Sequence, residues 1–161
     1  MRPFRYLTVV ALAVVAGACV PRPGMLDYAL PQGAQWTATL TPTTKSSTLH
    51  GTVRFVRSSP ETWTRVIFNL SDGTGGAVHP WHIHYGVCGD DHLIVENPAK
   101  YPPFMLGSTG SLTGATSVQV HLLDNEKYVV HVHASAMDMT TIACGPLLPD
   151  RAIASVAGIA R

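Results

Sequence analysis

From Gln35 onward, apolar and polar residues alternate in short runs. Between Gln35 and Thr41 the apolar positions Trp36, Ala38 and Leu40 fall on one face, and Thr48 to Val56 repeats the pattern with Leu49, Val53 and Phe55. Two further runs follow, Thr62 to Leu70, ended by Ser71-Asp72-Gly73, and Ala77 to Tyr85. A period of two, bounded by turn residues, predicts β-strands. Ser117 to Leu123 and Lys127 to His133 form another pair, and Asp124-Asn125-Glu126 between them predicts a hairpin. Only Asp150 to Arg161 carries a mild helical pattern. Many short strands without intervening helices predict an all-β domain, a Greek-key β-barrel or sandwich.

The first residues have a different organisation. Met1 to Arg5 hold two arginines, Tyr6 to Ala16 are almost wholly apolar, and Ala16-Gly17-Ala18 is a small-residue cleavage triplet. The apolar run is too short to span a bilayer. Residues 1–18 therefore read as a signal peptide. Cleavage there leaves Cys19 first, and the junction resembles that of bacterial lipoproteins, with Ala16 where leucine is usual. The resemblance implies lipidation of Cys19, a membrane contact through that anchor, and a place in the cell envelope or periplasm. Ordinary cleavage at the same triplet would instead release a free secreted protein. Residues 19–33, with Pro21, Pro23, Gly24, Pro31 and Gly33, read as a tether, residues 34–148 as the β domain, and 149–161 as a C-terminal extension.

Charge and cysteine count narrow the picture. The chain has 11 Lys and Arg against 10 Asp and Glu. Loss of Arg2 and Arg5 with the signal peptide leaves the mature part near neutral. That composition argues against nucleic acid and against broad anionic membrane surfaces as partners. Three cysteines in an exported chain leave one over. If Cys19 is acylated, Cys88 and Cys144 remain and can pair in an oxidising compartment; the alternative is two buried thiols. A bridge would close a loop of 56 residues, stabilising the fold by roughly 4 kcal/mol in the chain-entropy description.

Candidate chemistry lies in the histidines. Of the 8 in the chain, His79, His82, His84 and His92 form one cluster and His131 and His133 a second. Residues two apart on a strand point to the same side, about 7 Å from each other. His82 with His84, and His131 with His133, can thus each present two imidazoles on one face. A single H-x-H pair is weak evidence for a metal; two pairs in one short domain are much stronger. Nitrogen donors of this kind suit copper or zinc.

The run from Thr64 to Cys88, TRVIFNLSDGTGGAVHPWHIHYGVC, resembles the copper-binding strand of the copper/zinc superoxide dismutase family. There a histidine, a glycine, an aromatic residue and H-x-H precede a glycine and a disulfide cysteine. His79, Pro80, Trp81, His82, Ile83, His84, Gly86 and Cys88 take those places, with Pro80 replacing the family's glycine. His50 to Val56 resembles the early G-x-V-x-F strand, Val129 to Ala134 the strand that supplies a later ligand, and Ile142-Ala143-Cys144-Gly145 the closing I-A-C-G. The resemblance covers most of residues 35–148.

It implies that His82 and His84 bind copper, and that His133 or His131 supplies the later ligand, with His133 favoured. It also implies a disulfide between Cys88 and Cys144. His79 matches a position that is not a ligand, where hydrogen bonding orients ligand imidazoles. The zinc loop has no counterpart, so copper without zinc is the expected metal. His92, closer to Cys88 than the family's metal-bridging histidine is to its cysteine, is a candidate for a further ligand. Thr141 stands where the family places the arginine that guides the anion.

Two functions follow as expectations. One is copper-dependent dismutation of superoxide, with His82, His84 and His133 as the catalytic metal ligands. The other is non-catalytic copper binding, buffering or delivery, because Met137 and Met139 add thioethers, which favour Cu(I). Those methionines also have a plain structural reading, as fillers of a loop or core gap.

Overall fold

The alternation read from the sequence forms the first three strands, β1 (Gln35–Pro42), β2 (His50–Arg57) and β3 (Thr64–Ser71). Trp36, Ala38, Leu40, Val53, Phe55, Val66, Phe68 and Leu70 are buried on their shared inner face. These strands pair antiparallel in sequence order, β1 with β2 and β2 with β3. A computed structural model describes residues 35–58, 63–123 and 125–150, apart from the side chains of Asp91 and His92. The expected signal peptide, Cys19, the tether and all but the start of the C-terminal extension lie outside these residues.

The remaining strands are β4 (Val78–His79), β5 (Trp81–Val87), β6 (Asp90–Ile94), β7 (Phe104–Met105), β8 (Leu112–Val118), β9 (Tyr128–His133) and β10 (Thr141–Pro149). Eight strands make one curled antiparallel sheet in the order β6-β5-β9-β10-β1-β2-β3-β8, while β4 pairs with β7. Within it β10 returns beside β1, next to the consecutive strands β1, β2 and β3, which is a Greek-key arrangement. The expected all-β fold is therefore present. Among the described residues no helix is long and apolar enough to cross a membrane.

Two strand expectations change. The run Ala77–Tyr85 is divided at Pro80, with Val78–His79 paired to β7 and Trp81–Val87 to β9 and β6. Proline has no N–H for a ladder, and the carbonyl of Pro80 accepts from His133 N at 2.9 Å. The predicted hairpin between Ser117–Leu123 and Lys127–His133 does not form. The ladder lies earlier, in β8, whose partner is β3. Val118, Val120 and Leu122 still alternate into the core. Side chains replace the ladder along that stretch: Thr64 Oγ1 donates to the Val120 carbonyl at 2.7 Å, and Arg57 Nη2 donates to the Leu122 carbonyl at 2.6 Å.

The strands that matter for the site are β5 and β9, adjacent in the middle of one half of the sheet. Their register places His82 opposite His131 and Ile83 opposite Val130. Trp81, Ile83, Val130 and Val132 face the core. The indole of Trp81 is fully buried against Phe55, Phe68 and Tyr101, with ring centroids 6.0, 5.3 and 5.1 Å away. Burial of each such large side chain stabilises the fold by roughly 1.5–3 kcal/mol, so the ladder under the histidines is anchored in the core.

Cys88 and Cys144 are joined in a disulfide with Cα atoms 6.0 Å apart. Cys144 sits in β10 opposite His131, so the bridge ties the end of β5 to the strand on the far side of β9. Two glycines permit this course. At Gly86 the backbone turns to φ 111°, beside an irregularity in the β5–β6 pairing; L side chains disfavour that conformation. At Gly145 an added Cβ would lie 2.3 Å from the Thr39 carbonyl oxygen of β1.

Candidate metal centre

Period-two geometry sends His82 and His84 of β5 to one side while Trp81 and Ile83 enter the core. On β9 the same rule separates His131 and His133 from Val130 and Val132. Because His82 pairs with His131, all four imidazoles stand on the same outer face of the β5–β9 ladder. None is solvent-exposed: His82, His84, His131 and His133 retain 3 to 8 % of their accessible surface.

Three of them form a group. The ligand atoms of His82, His84 and His133 all lie within 4.8 Å of one another. Ring centroids are 6.1 Å apart for His82 and His84, 5.1 Å for His82 and His133, and 6.4 Å for His84 and His133. His82 Nδ1 and His133 Nε2 approach to 3.1 Å. A metal with Zn–N-type bonds of about 2.0–2.1 Å holds its ligand atoms roughly 3.4 Å apart in tetrahedral coordination. One pair already stands near that spacing and all three nitrogens lie within 4.8 Å of one another, so the group could hold a metal ion.

His133 is the most firmly held of the three. Its backbone N–H donates to Pro80, and its carbonyl accepts from His79 Nδ1 at 2.9 Å. Its own Nδ1 donates to the Met139 carbonyl at 2.9 Å. That last bond directs Nε2 toward His82 as the electron-pair donor, the way a backbone carbonyl fixes the tautomer of a metal-bound imidazole. His79 also reaches the Ala134 carbonyl at 3.1 Å. Its role is to fix the backbone at the end of β9, where the sequence predicted hydrogen bonding to the ligand imidazoles themselves.

Of the two candidates for the later ligand, the structure brings His133 into the group and leaves His131 beside it. The His131 ring lies 4.6 Å from that of His84, and its Nδ1 is 3.4 Å from Thr141 Oγ1. The side chain of His92 lies outside the described residues. Thr141, in the place expected for a guiding arginine, presents only a hydroxyl to this neighbourhood.

Crowding sets the protonation state. Burial is the main cause, followed by the neighbouring His133, His84 and His131, and together they lower the His82 pKa from 6.5 to about 4. The imidazole is therefore neutral at physiological pH, as a metal ligand must be.

Sequence reasoning missed a further residue at the site. Tyr101 stands edge-on to the His82 ring, 5.5 Å between centroids at 87°, and edge-on to Trp81. Its hydroxyl donates to the Val95 carbonyl, and burial raises its pKa well above the usual phenol range. The segment carrying it is fastened to β5 at both ends: Val95 N donates to Ile83 O at 2.8 Å, and Trp81 Nε1 to Pro102 O at 2.9 Å. The signal available in the sequence was the Tyr101-Pro102-Pro103 run following the Asn97-Pro98 turn, a composition that predicts an ordered loop.

Comparison with models of known protein families and with characterised proteins finds no match to this chain.

Proposed function

We propose that this chain is an exported copper protein of the superoxide dismutase type, in which His82, His84 and His133 hold copper and superoxide is the substrate. The observation that carries the proposal is the group of three buried imidazoles with ligand atoms within 4.8 Å of one another, set in the H-x-H and I-A-C-G context read from the sequence. Copper would supply a one-electron couple, accepting an electron from one superoxide and returning it to a second with two protons, to give oxygen and hydrogen peroxide.

The protein's own residues have definable parts in this. Neutral nitrogen donors suit copper in either oxidation state. The Met139 carbonyl orients His133, and Tyr101 shields the side of His82 from water. Thr141 offers no positive charge to draw in an anion, so turnover should show weak dependence on ionic strength. The identity of the metal rests on the resemblance and on this donor set. Export and a lipid on Cys19 rest on the sequence Ala16-Gly17-Ala18-Cys19 alone, and a mass measurement of the mature N-terminus tests them.

A second reading is a protein that buffers or delivers copper without catalysis. It is favoured by Met137 and Met139, which are exposed on the β9–β10 connection. One preparation separates the readings: copper-loaded and metal-counted wild type is assayed for superoxide removal beside His82→Ala and His133→Ala. An enzyme removes superoxide in proportion to bound copper and loses this in both variants. Bound copper with no rate above that of free copper supports the buffering reading, and equal copper in wild type and variants removes the site.

A further inference from the structure

The loop from Ala134 to Thr140 is short and internally tied. Ala134 N donates to Thr140 O at 3.0 Å, Ser135 N to Asp138 O at 2.9 Å, and Asp138 N back to Ser135 O at 3.2 Å. Ser135 Oγ also accepts from Met137 N and Asp138 N, and Asp138 Oδ1 from Thr140 N. This ordered turn presents two methionines to solvent, Met137 at 96 % and Met139 at 49 % exposure. Neither fills a core gap. The core half of the structural reading is thus excluded; the loop half stands, and it gives these two positions no packing reason to be methionine.

Their placement gives one. The carbonyl that orients His133 belongs to Met139 itself, so the Met139 side chain branches from the Cα next to the group that holds this imidazole. Met137 lies two residues before it on the same turn, with Asp138 between them in sequence, its Oδ1 accepting from Thr140 N. Thioether sulfurs are soft donors that prefer Cu(I) and bind Cu(II) and Zn(II) poorly, and a nearby carboxylate favours any cation.

We propose that Met137 and Met139 form a surface capture site for Cu(I), from which the ion passes to the histidine group. The inference rests on the reading of His82, His84 and His133 as copper ligands and adds the route and oxidation state in which the metal arrives. Transfer is a ligand exchange at constant oxidation state: sulfur–copper bonds are replaced by nitrogen–copper bonds, and no electron moves. Both methionines belong to the hydrogen-bonded turn whose Met139 carbonyl holds His133, which keeps the exchange local.

The test is anaerobic titration of the full chain with Cu(I) against bicinchoninate, a chromophoric Cu(I) chelator, following both stoichiometry and the rate of loading. Wild type is compared with a Met137→Leu/Met139→Leu variant, which keeps size and apolarity at exposed positions, and with His82→Ala. The expected result is a tight equivalent and a weaker one in wild type. The leucine variant retains the tight equivalent, loses the weaker one and loads several-fold more slowly. His82→Ala shows the reverse pattern of equivalents. Uptake curves and loading rates identical between wild type and the leucine variant would overturn the capture site, even where His82→Ala abolishes tight binding. A His82→Ala protein that binds the tight equivalent like wild type removes the histidine reading instead, and the capture site then stands or falls on the equivalent lost from the leucine variant.

Discussion

Acidification of the metal-free protein between pH 7 and 4 tests the electrostatics of the site directly. Folding buries His82 among three other imidazoles and lowers its pKa from 6.5 to about 4. Above pH 6.5 the ring is neutral in both folded and unfolded chains, and it contributes no pH dependence. Between 6.5 and 4 the unfolded chain binds a proton that the folded one refuses, so stability falls as pH falls. Below 4 both states are protonated and this contribution levels off. The whole interval corresponds to a loss of at most about 3 kcal/mol. Water penetration and relaxation around the buried charge reduce this to about 1–2 kcal/mol. Against the 5–15 kcal/mol typical of a small domain that is a measurable fraction. Urea unfolding of the metal-free wild type and a His82→Asn variant at intervals from pH 7 to 4 provides the comparison, since other titrating groups contribute to both. The wild-type curve should fall more steeply in the 6.5 to 4 window. Parallel curves for the two proteins would refute the claim that His82 is held neutral by burial.

Further perturbations test other parts of the structure. Cys144→Ala, which opens the 56-residue loop closed with Cys88, should lower stability by roughly 4 kcal/mol in the entropic description, read as a lower urea midpoint. Gly145→Ala places a methyl group 2.3 Å from the Thr39 carbonyl and should destabilise by about 1–3 kcal/mol through overpacking, seen in thermal unfolding. Trp81→Phe removes the 2.9 Å bond to Pro102 O and leaves the space of the indole's second ring at a fully buried position. It should cost about 2–4 kcal/mol and speed amide exchange in residues 95–103 more than elsewhere.

The outer face of the β5–β9 ladder was legible because two facts suffice to place it: the two-residue spacing within His82/His84 and His131/His133, and the period of a strand. What spacing does not contain is register. His131 and His133 point the same way on β9, and only the pairing of His82 with His131 brings His133 beside His82 and leaves His131 nearer His84. The missed strands share another cause. β10, TIACGPLLP, carries a glycine and two prolines, residues that weaken a strand reading. It is nevertheless central, because Gly145 allows β1 to approach closely. β8, LTGATSV, hides its alternation behind small residues at a sheet edge, with Leu112, Gly114 and Thr116 only half-buried. The hairpin expectation failed because Val118 ends a ladder with β3, and beyond it the alternation at Val120 and Leu122 is satisfied by burial, with Thr64 and Arg57 serving as hydrogen-bond donors in place of a partner strand.

The same ladder separates stability from chemistry. Trp81, Ile83, Val130 and Val132 hold β5 and β9 in the core, while the residues between them carry nothing but histidine donors and Val129. Substitutions on the outer face therefore leave the apolar layer intact, and the supports of the site are mostly backbone groups: Pro80 O, His133 O and Met139 O. Backbone supports do not depend on the identity of the residue that supplies them. A change such as Met139→Leu preserves the carbonyl that orients His133 while deleting the sulfur beside it. Positioning of the His133 imidazole and the capture proposed for the thioethers are thus separable by substitution at a single residue, and this permits the observed and the proposed role of the β9–β10 turn to be measured independently.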